Sequence, residues 1–281
     1  MAAAEGLRVR DVTVRFGPLT AVDGAALTAL PGTVTGLVGP SGAGKTTLCD
    51  VITGLRRPAA GAVLLDDADL TRSAARERAR RGIARTFQRA GAAGPATVRE
   101  AVRSAAARHA ITRGHPGRTA RDRLRRRLEA RRAAGDAADA LLARVGIQDH
   151  AQRPVRDAPP GVARLTELAR ALAAEPAVLV LDEPWEGLPV RHARALEVLL
   201  RDLAGDGLAV LVVEGEIEPV LGVCDVLHVL DGGRMISAGP PAEVRADPRV
   251  RDAYRAGPAL TTCRPTGGGG RRAEGRRRAG W

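Results

Sequence analysis

Gly39-Pro-Ser-Gly-Ala-Gly-Lys45-Thr-Thr47 satisfies the phosphate-binding pattern G-x-x-x-x-G-K-[ST] at every fixed position. Before it, Thr33-Val-Thr-Gly-Leu-Val38 is short, apolar and β-branched, as a buried strand is. After it, Thr47-Leu-Cys-Asp-Val-Ile-Thr53 reads as a helix that stops at Gly54. A strand, a glycine-rich loop and a helix in that order let backbone amides turn inward around a phosphate, while the positive end of the helix faces the same anion. Lys45 then reaches the outer phosphates and Thr46 holds Mg2+ through its hydroxyl. Lys45 is the only lysine among 44 basic residues. Arginine replaces lysine everywhere except where a compact ammonium, rather than a forked guanidinium, fits the loop.

A chain of 281 residues with 44% apolar content suits one large domain, or a domain with an inserted lobe. No run approaches the ~18 uninterrupted apolar residues of a spanning helix, and Met-Ala-Ala-Ala-Glu-Gly at the start lacks a signal pattern, so a soluble, cytoplasmic chain is expected. Cys49, Cys224 and Cys263 are odd in number and have no metal-ligand spacing, which argues against a disulfide framework and predicts small apolar residues. The net charge of +12 is concentrated in two runs, Arg113 to Arg132 and Cys263 to Trp281, which together hold the whole excess. The body is therefore balanced and does not read as a nucleic-acid surface. The runs read as a solvated face and tail, with anionic lipid headgroups the next alternative. Only Trp281 supplies an aromatic ring there, so a stacking platform for single strands is missing.

Outward from the loop, Leu7 to Phe16 alternates apolar and polar residues with the period of a half-buried strand, Ala25 to Leu30 is a second strand candidate, and Ala62-Val-Leu-Leu65 follows the loop helix as a third. Phe16 reads either as plain core or as a ring for stacking on adenine. Residues from about Thr97 to Val145 carry helix formers, which predicts an all-helical insertion between two halves of an α/β sheet. Val178-Leu-Val-Leu181 is a continuous apolar run of buried parallel-strand type, closed by Asp182-Glu183-Pro184. That ending places Asp182 by a loop-bound Mg2+ and Glu183 beside an attacking water; the bland alternative is an acidic turn. Leu208 to Val213 and Val226 to Leu230 are further buried strands, the latter turning at Asp231-Gly-Gly233, and from Thr261 onward Gly and Arg predict disorder.

These residues carry a resemblance to the ATP-binding subunits of ABC transporters, and within them to the ATPases of branched-chain amino-acid importers. It covers roughly residues 7 to 257 and rests on Arg15-Phe-Gly17 with Ala21-Val-Asp23, the loop at 39 to 47, Arg85-Thr-Phe-Gln88, Leu165-Thr-Glu-Leu-Ala-Arg-Ala-Leu172, Leu181-Asp-Glu-Pro184 and Ala246-Asp-Pro-Arg-Val-Arg-Asp-Ala-Tyr254. It implies a P-loop core with a mostly parallel sheet, an antiparallel β subdomain and an inserted helical lobe at about 89–170, in a nucleotide-binding domain spanning 5–257 before a tail at 258–281. It implies ATP and Mg2+ as cofactors: Phe16 on adenine, Gly39, Ser41, Gly42, Gly44, Lys45, Thr46 and Thr47 around the phosphates, and Thr46, Gln88 and Asp182 at the metal. Glu183 is the implied catalytic carboxylate, with Gln88 sensing the γ-phosphate. The implied partners are permease subunits, a second ATPase chain and, indirectly, a solute-binding protein, with no specific nucleic acid; the implied place is the inner face of the membrane.

Three departures stand out. The family signature Leu-Ser-Gly-Gly-Gln falls on Ala158-Pro-Pro-Gly-Val162, where only Gly161 survives, and Pro159 and Pro160 have no N–H to donate. Gly215, in Val213-Glu-Gly-Glu216, stands where the family has its switch histidine, and Pro189 stands where its D-loop ends in Asn or Asp. Binding therefore reads as intact and hydrolysis as damaged, which favours a heterodimer with a better-equipped ATPase partner. A regulatory ATP-binding module with little turnover is the alternative, and a nucleic-acid-acting ATPase a weaker third.

Overall fold

The computed structural model describes residues 6–86, 97–113 and 120–255. In chain order the elements are β1 (Leu7–Phe16), β2 (Leu19–Ala29), β3 (Val34–Val38), α1 (Lys45–Thr53), β4 (Ala60–Leu65), β5 (Ala68–Asp69), α2 (Ala75–Arg80) and β6 (Ile83–Arg85). The helices α3 (Val98–Arg113), α4 (Ala120–Arg144) and α5 (Pro160–Leu172) follow, then β7 (Val178–Asp182), α6 (Val190–Gly205), β8 (Ala209–Glu214), α7 (Glu218–Leu221), β9 (Val226–Asp231), β10 (Arg234–Gly239), α8 (Pro241–Ala246) and α9 (Pro248–Arg255). Gln88 and the whole expected tail at 258–281, with Cys263, lie outside the described residues.

Two sheets divide the strands. Antiparallel β2-β1-β4-β5 makes one, and β10-β9-β3-β8-β7-β6 makes the other, parallel throughout except for β10 against β9. The expected mixture of a mostly parallel sheet, an antiparallel subdomain and intervening helices is thus the fold that forms.

The unbroken apolar run of β7 follows from its being covered on both faces. Val178 and Val180 pack with α1 and the antiparallel sheet, alongside Leu48, Ile52 and Leu65. Leu179 and Leu181 point the other way, into a second cluster with Leu168 of α5 and Leu200 of α6. Burying each such side chain contributes about 1.5–3 kcal/mol relative to exposure, so one alternating strand welds the two layers together.

In β1 the expected strict alternation is interrupted. Leu7, Val9, Val12 and Val14 are buried, but the register shifts between Val9 and Val12, where Asp11 takes a positive φ of 47°. Gly61 lies across the bulge, and a Cβ there would stand 2.4 Å from the Asp11 carbonyl oxygen, so the bulge and the glycine require each other.

The helical segment packs by its sparse apolar stripes. Val98, Val102 and Ala106 of α3 meet Ala134, Ala138 and Leu142 of α4, Val145 just after it, and the apolar face of α5 in one core. The buried stripe of α4 lies in its C-terminal half. Toward its N-terminus Leu128 is 51% exposed. Cys49 and Cys224 are buried free thiols, with burial raising each to about 12, in keeping with small apolar residues.

Candidate functional site

The loop after β3, the carboxylates after β7 and the turn after β8 all emerge from the C-terminal edge of the parallel sheet, where β3 lies between β8 and β9. Ligands of open α/β sheets bind in the crevice along this edge. Helix α1 begins at Lys45 behind Gly44, a residue in the left-handed region that makes no side-chain cap. A Cβ on Gly44 would lie 2.4 Å from the Ala21 carbonyl oxygen, so only glycine lets the loop turn that tightly. The amides of the first helical turn are therefore not covered by a capping side chain, and Ser41, Gly42 and Thr46 stand exposed around them, with Thr47 half-buried.

Lys45 is buried, and its Nζ donates to the carbonyl oxygens of Gly39 at 2.6 Å and Pro40 at 3.0 Å. The ammonium is thus folded along the inside of the loop, its charge directed into the cradle. Burial lowers its pKa, opposed first by Glu183, then by Asp182 and Glu214, which places all three carboxyl groups in its electrostatic reach.

Asp182 ends β7 with its side chain 11% exposed, and Arg85 Nη2 donates to its Oδ2 at 2.6 Å. Glu183 takes a positive φ of 48°, its amide donates to the Val213 carbonyl at 2.8 Å, and its own carbonyl accepts from Arg164 Nη1. Holding a non-glycine residue in that conformation costs of order 1 kcal/mol or more, and such strain persists where neighbours fix it on both sides. Here β8 and α5 do so. Among the described residues no group of three or more His, Cys, Asp or Glu could hold a metal by itself. In donor chemistry, the Asp182 carboxylate and the Thr46 hydroxyl are of the kind Mg2+ takes, one or two protein oxygens with the shell completed by water and substrate phosphates.

Phe16 ends β1 at 40% exposure, and the Arg56 guanidinium carbon lies 4.1 Å from its ring centroid. One aromatic face thus carries a cation–π partner. Gln88 lies outside the described residues.

At the departures, α5 begins with Pro159 as its N-cap and Pro160 in its first turn, without a side-chain cap. Ala163 donates to the Pro159 carbonyl, which leaves at most Gly161 and Val162 as outward amide donors at that end. Val162 is buried, so a glutamine there would meet core rather than solvent. A Cβ on Gly161 would approach His192 Nδ1 at 3.6 Å, which brings a histidine beside the signature position although it is distant in sequence. Gly215 has no heavy atom within 4 Å of where its Cβ would stand. Just before it, Glu214 is buried at the end of β8 and accepts the Trp185 amide at 3.3 Å; burial raises its pKa to about 7.

Arg85, Arg164 and Glu214 are neighbours of the site to which sequence reasoning gave no role, although Arg85 and Glu214 stand inside the motifs quoted above; each acts over a long sequence separation.

A family model described as ABC transporter matches residues 22–186, and one described as branched-chain amino acid ATP-binding cassette transporter matches residues 234–254. The chain is 33% identical to the high-affinity branched-chain amino acid transport ATP-binding protein LivG of Escherichia coli, over 88% of this chain and 96% of that protein. It is 32% identical to BraF of Pseudomonas aeruginosa over the same shares, and 34% identical to the methionine import ATP-binding protein MetN of Rhizobium johnstonii over 89% of this chain and 65% of that one. Among solved structures, a nucleotide-free ATP-binding cassette from an ABC transporter superposes with a TM-score of 0.74 at 28% identity, covering 89% of this chain and 98% of that chain. An ATP-binding cassette in its ADP conformation gives 0.72 at 27% identity, with the same coverage. A family model that spans more than half of the chain, together with relatives about a third identical across nearly their whole length, shows that this chain belongs to the ABC transporter ATP-binding family.

Proposed function

We propose that this chain, an ATP-binding subunit of an ABC transporter, binds Mg-ATP on its phosphate loop and powers the import of branched-chain amino acids or related small solutes through separate permease subunits. The observation that carries the reading is the convergence of Lys45 with Asp182, Glu183 and Glu214 at one sheet edge, beside a helix N-terminus that no side chain caps. In this reading Gly39, Ser41, Gly42, Gly44, Lys45, Thr46 and Thr47 surround the phosphates, Phe16 takes the adenine, and Thr46, Asp182 and Gln88 serve the metal. Glu183 orients the attacking water. The names of LivG and BraF support the cargo class.

No helix of the described residues is long and apolar enough to cross a membrane, so a place on the inner face of the membrane rests on the permease. Hydrolysis is assigned to an interface with a second ATPase subunit, because the α5 end of this chain has two prolines where outward amides are needed. Those prolines, with Gly215, also favour a second reading, a regulatory ATP-binding module with little turnover. Calorimetry on the purified chain tests the central claim: Lys45→Ala should weaken Mg-ATP binding at least tenfold with the melting temperature unchanged, and equal affinity would remove it.

A further inference from the structure

Arg85 is a buried arginine between two carboxylates that the functional reading leaves without a role. It ends β6 with its side chain 6% exposed, donating from Nη1 to Asp50 Oδ1 at 2.7 Å and from Nη2 to Asp182 Oδ2 at 2.6 Å. One guanidinium therefore joins three elements: β6, the phosphate-loop helix α1 through Asp50, and β7 through Asp182. The two arms diverge, which a lysine ammonium cannot reproduce from one position.

We infer that Arg85 is a positioning residue for Asp182: it holds one carboxylate oxygen, leaves Oδ1 to face an incoming cation, and offsets the charge of Asp50 and Asp182 where a triphosphate must enter. The inference rests on the Mg-ATP reading above. Among the described residues, the other cations near this edge are already engaged: Lys45 Nζ donates to the Gly39 and Pro40 carbonyls, and Arg164 to the Glu183 carbonyl and Glu186. Without Arg85, neither Asp50 nor Asp182 keeps its ion-pair partner, and a metal-free triphosphate meets more negative charge in a partly buried site where charges are poorly screened. Mg2+ supplies the missing charge itself. The loss is therefore largest when the metal is absent, and smaller when it is present, because Mg2+ draws most of its ligands from phosphate and water.

The test is calorimetric binding of ATP to the full chain, in excess Mg2+ and in EDTA, for the parent, Arg85→Met, Arg85→Lys and Asp50→Asn. Arg85→Met should weaken binding in EDTA more than tenfold and binding in Mg2+ less than threefold. Asp50→Asn, which removes one negative charge and leaves Arg85 on Asp182, should not weaken binding in EDTA, and a loss there like that of Arg85→Met would overturn the proposal. A merely structural bridge would lower both affinities of Arg85→Met by the same factor; that outcome, or no change in either, overturns the proposal. Should Arg85→Met fail to fold, Arg85→Gln measured in the same way decides: a ratio shifted at least threefold in the same direction supports the proposal and an unchanged ratio overturns it, while Arg85→Lys, which keeps the charge, should shift the ratio less than the neutral variant, and an equal shift would also overturn it. A parent chain that binds no Mg-ATP would overturn the underlying reading and this inference with it, whereas a parent that binds normally with unaffected variants overturns the inference alone.

Discussion

Arg78 donates from Nη1 to the carbonyl oxygens of Val51 at 2.6 Å and Ile52 at 2.8 Å, closing the C-terminal end of α1 from inside the protein. Its remaining arms reach the Ser73 and Thr71 carbonyls, so a guanidinium only 1% exposed is satisfied wholly by backbone. The negative end of the phosphate-loop helix thereby meets a fixed cation, opposite the end that faces the anion site.

Replacing Arg78 should therefore act on stability. Arg78→Met leaves two or more buried carbonyls without partners, at about 1–3 kcal/mol each before relaxation. A fall in melting temperature of roughly 5 °C or more is expected. A shift below 2 °C would show that water takes over the cap.

Neither the role of Arg78 nor the contacts of Arg85, quoted only as part of the motif at 85 to 88, were legible in the sequence, and the reason is physical. Arginine is so abundant here that one buried residue among 43 gives no compositional signal, and the run from Ser73 to Gly82 is polar and Arg-rich throughout. The strands and the loop were legible because their evidence is contiguous: β7, β8 and the motif at 39 to 47 declare themselves within a few residues. β6 was missed because three residues carry no period, and β10 because its residues are only partly buried or exposed. For the site, residue types at motif spacing gave the phosphate loop and the Asp182-Glu183 pair. What those side chains lean on, namely Arg85, Arg164 and Glu214, comes from segments that only the fold brings together.

Glu214 sets a pH dependence. Its folded pKa, raised by burial from 4.5 to about 7, means that the native state holds a proton the unfolded chain has released between those values. Stability therefore falls as pH rises from about 4.5 to about 7 and is flat above, the reverse of a salt-bridged carboxylate. Glu214→Gln, which keeps an oxygen for the Trp185 amide, should raise stability at pH 8 by an amount of order 2 kcal/mol and leave pH 4 nearly unchanged. Denaturant melts at both values check this, and an equal effect at both would assign the change to packing.

Phe16 separates base recognition from phosphate recognition. With Arg56 over one face of the ring, a purine has the other face to stack on, worth about 0.5–1.5 kcal/mol beyond the area it covers. Phe16→Ala should lower ATP affinity about three- to tenfold and leave the affinity for inorganic triphosphate within twofold. Equal losses for both ligands would place Phe16 in the support of the loop instead.

The departures from the family pattern yield the prediction that bears most directly on turnover. The site on this chain's own loop keeps Lys45, Thr46, Asp182 and Glu183 and lacks the switch histidine in cis, whereas the site it would complete on a partner must use the end of α5. Losing one donor to a transition state typically costs ~10²–10³ in rate, so a homodimer with both defects at both sites should be slow. Gly215 offers room for a side chain, since nothing lies within 4 Å of its Cβ position. Pro159 is already the N-cap of α5, where serine would supply the missing cap at a gain of about 1 kcal/mol. Gly215→His with Pro159→Ser and Pro160→Gly should therefore raise the basal ATPase rate of the purified chain at least tenfold without lowering its melting temperature. Val162 is best left alone, because it is buried in the core beneath α5. If the unmodified chain by itself turns over at ~1 per second or faster, within the ordinary enzyme range, the prolines and Gly215 are tolerated and the need for a better-equipped partner disappears.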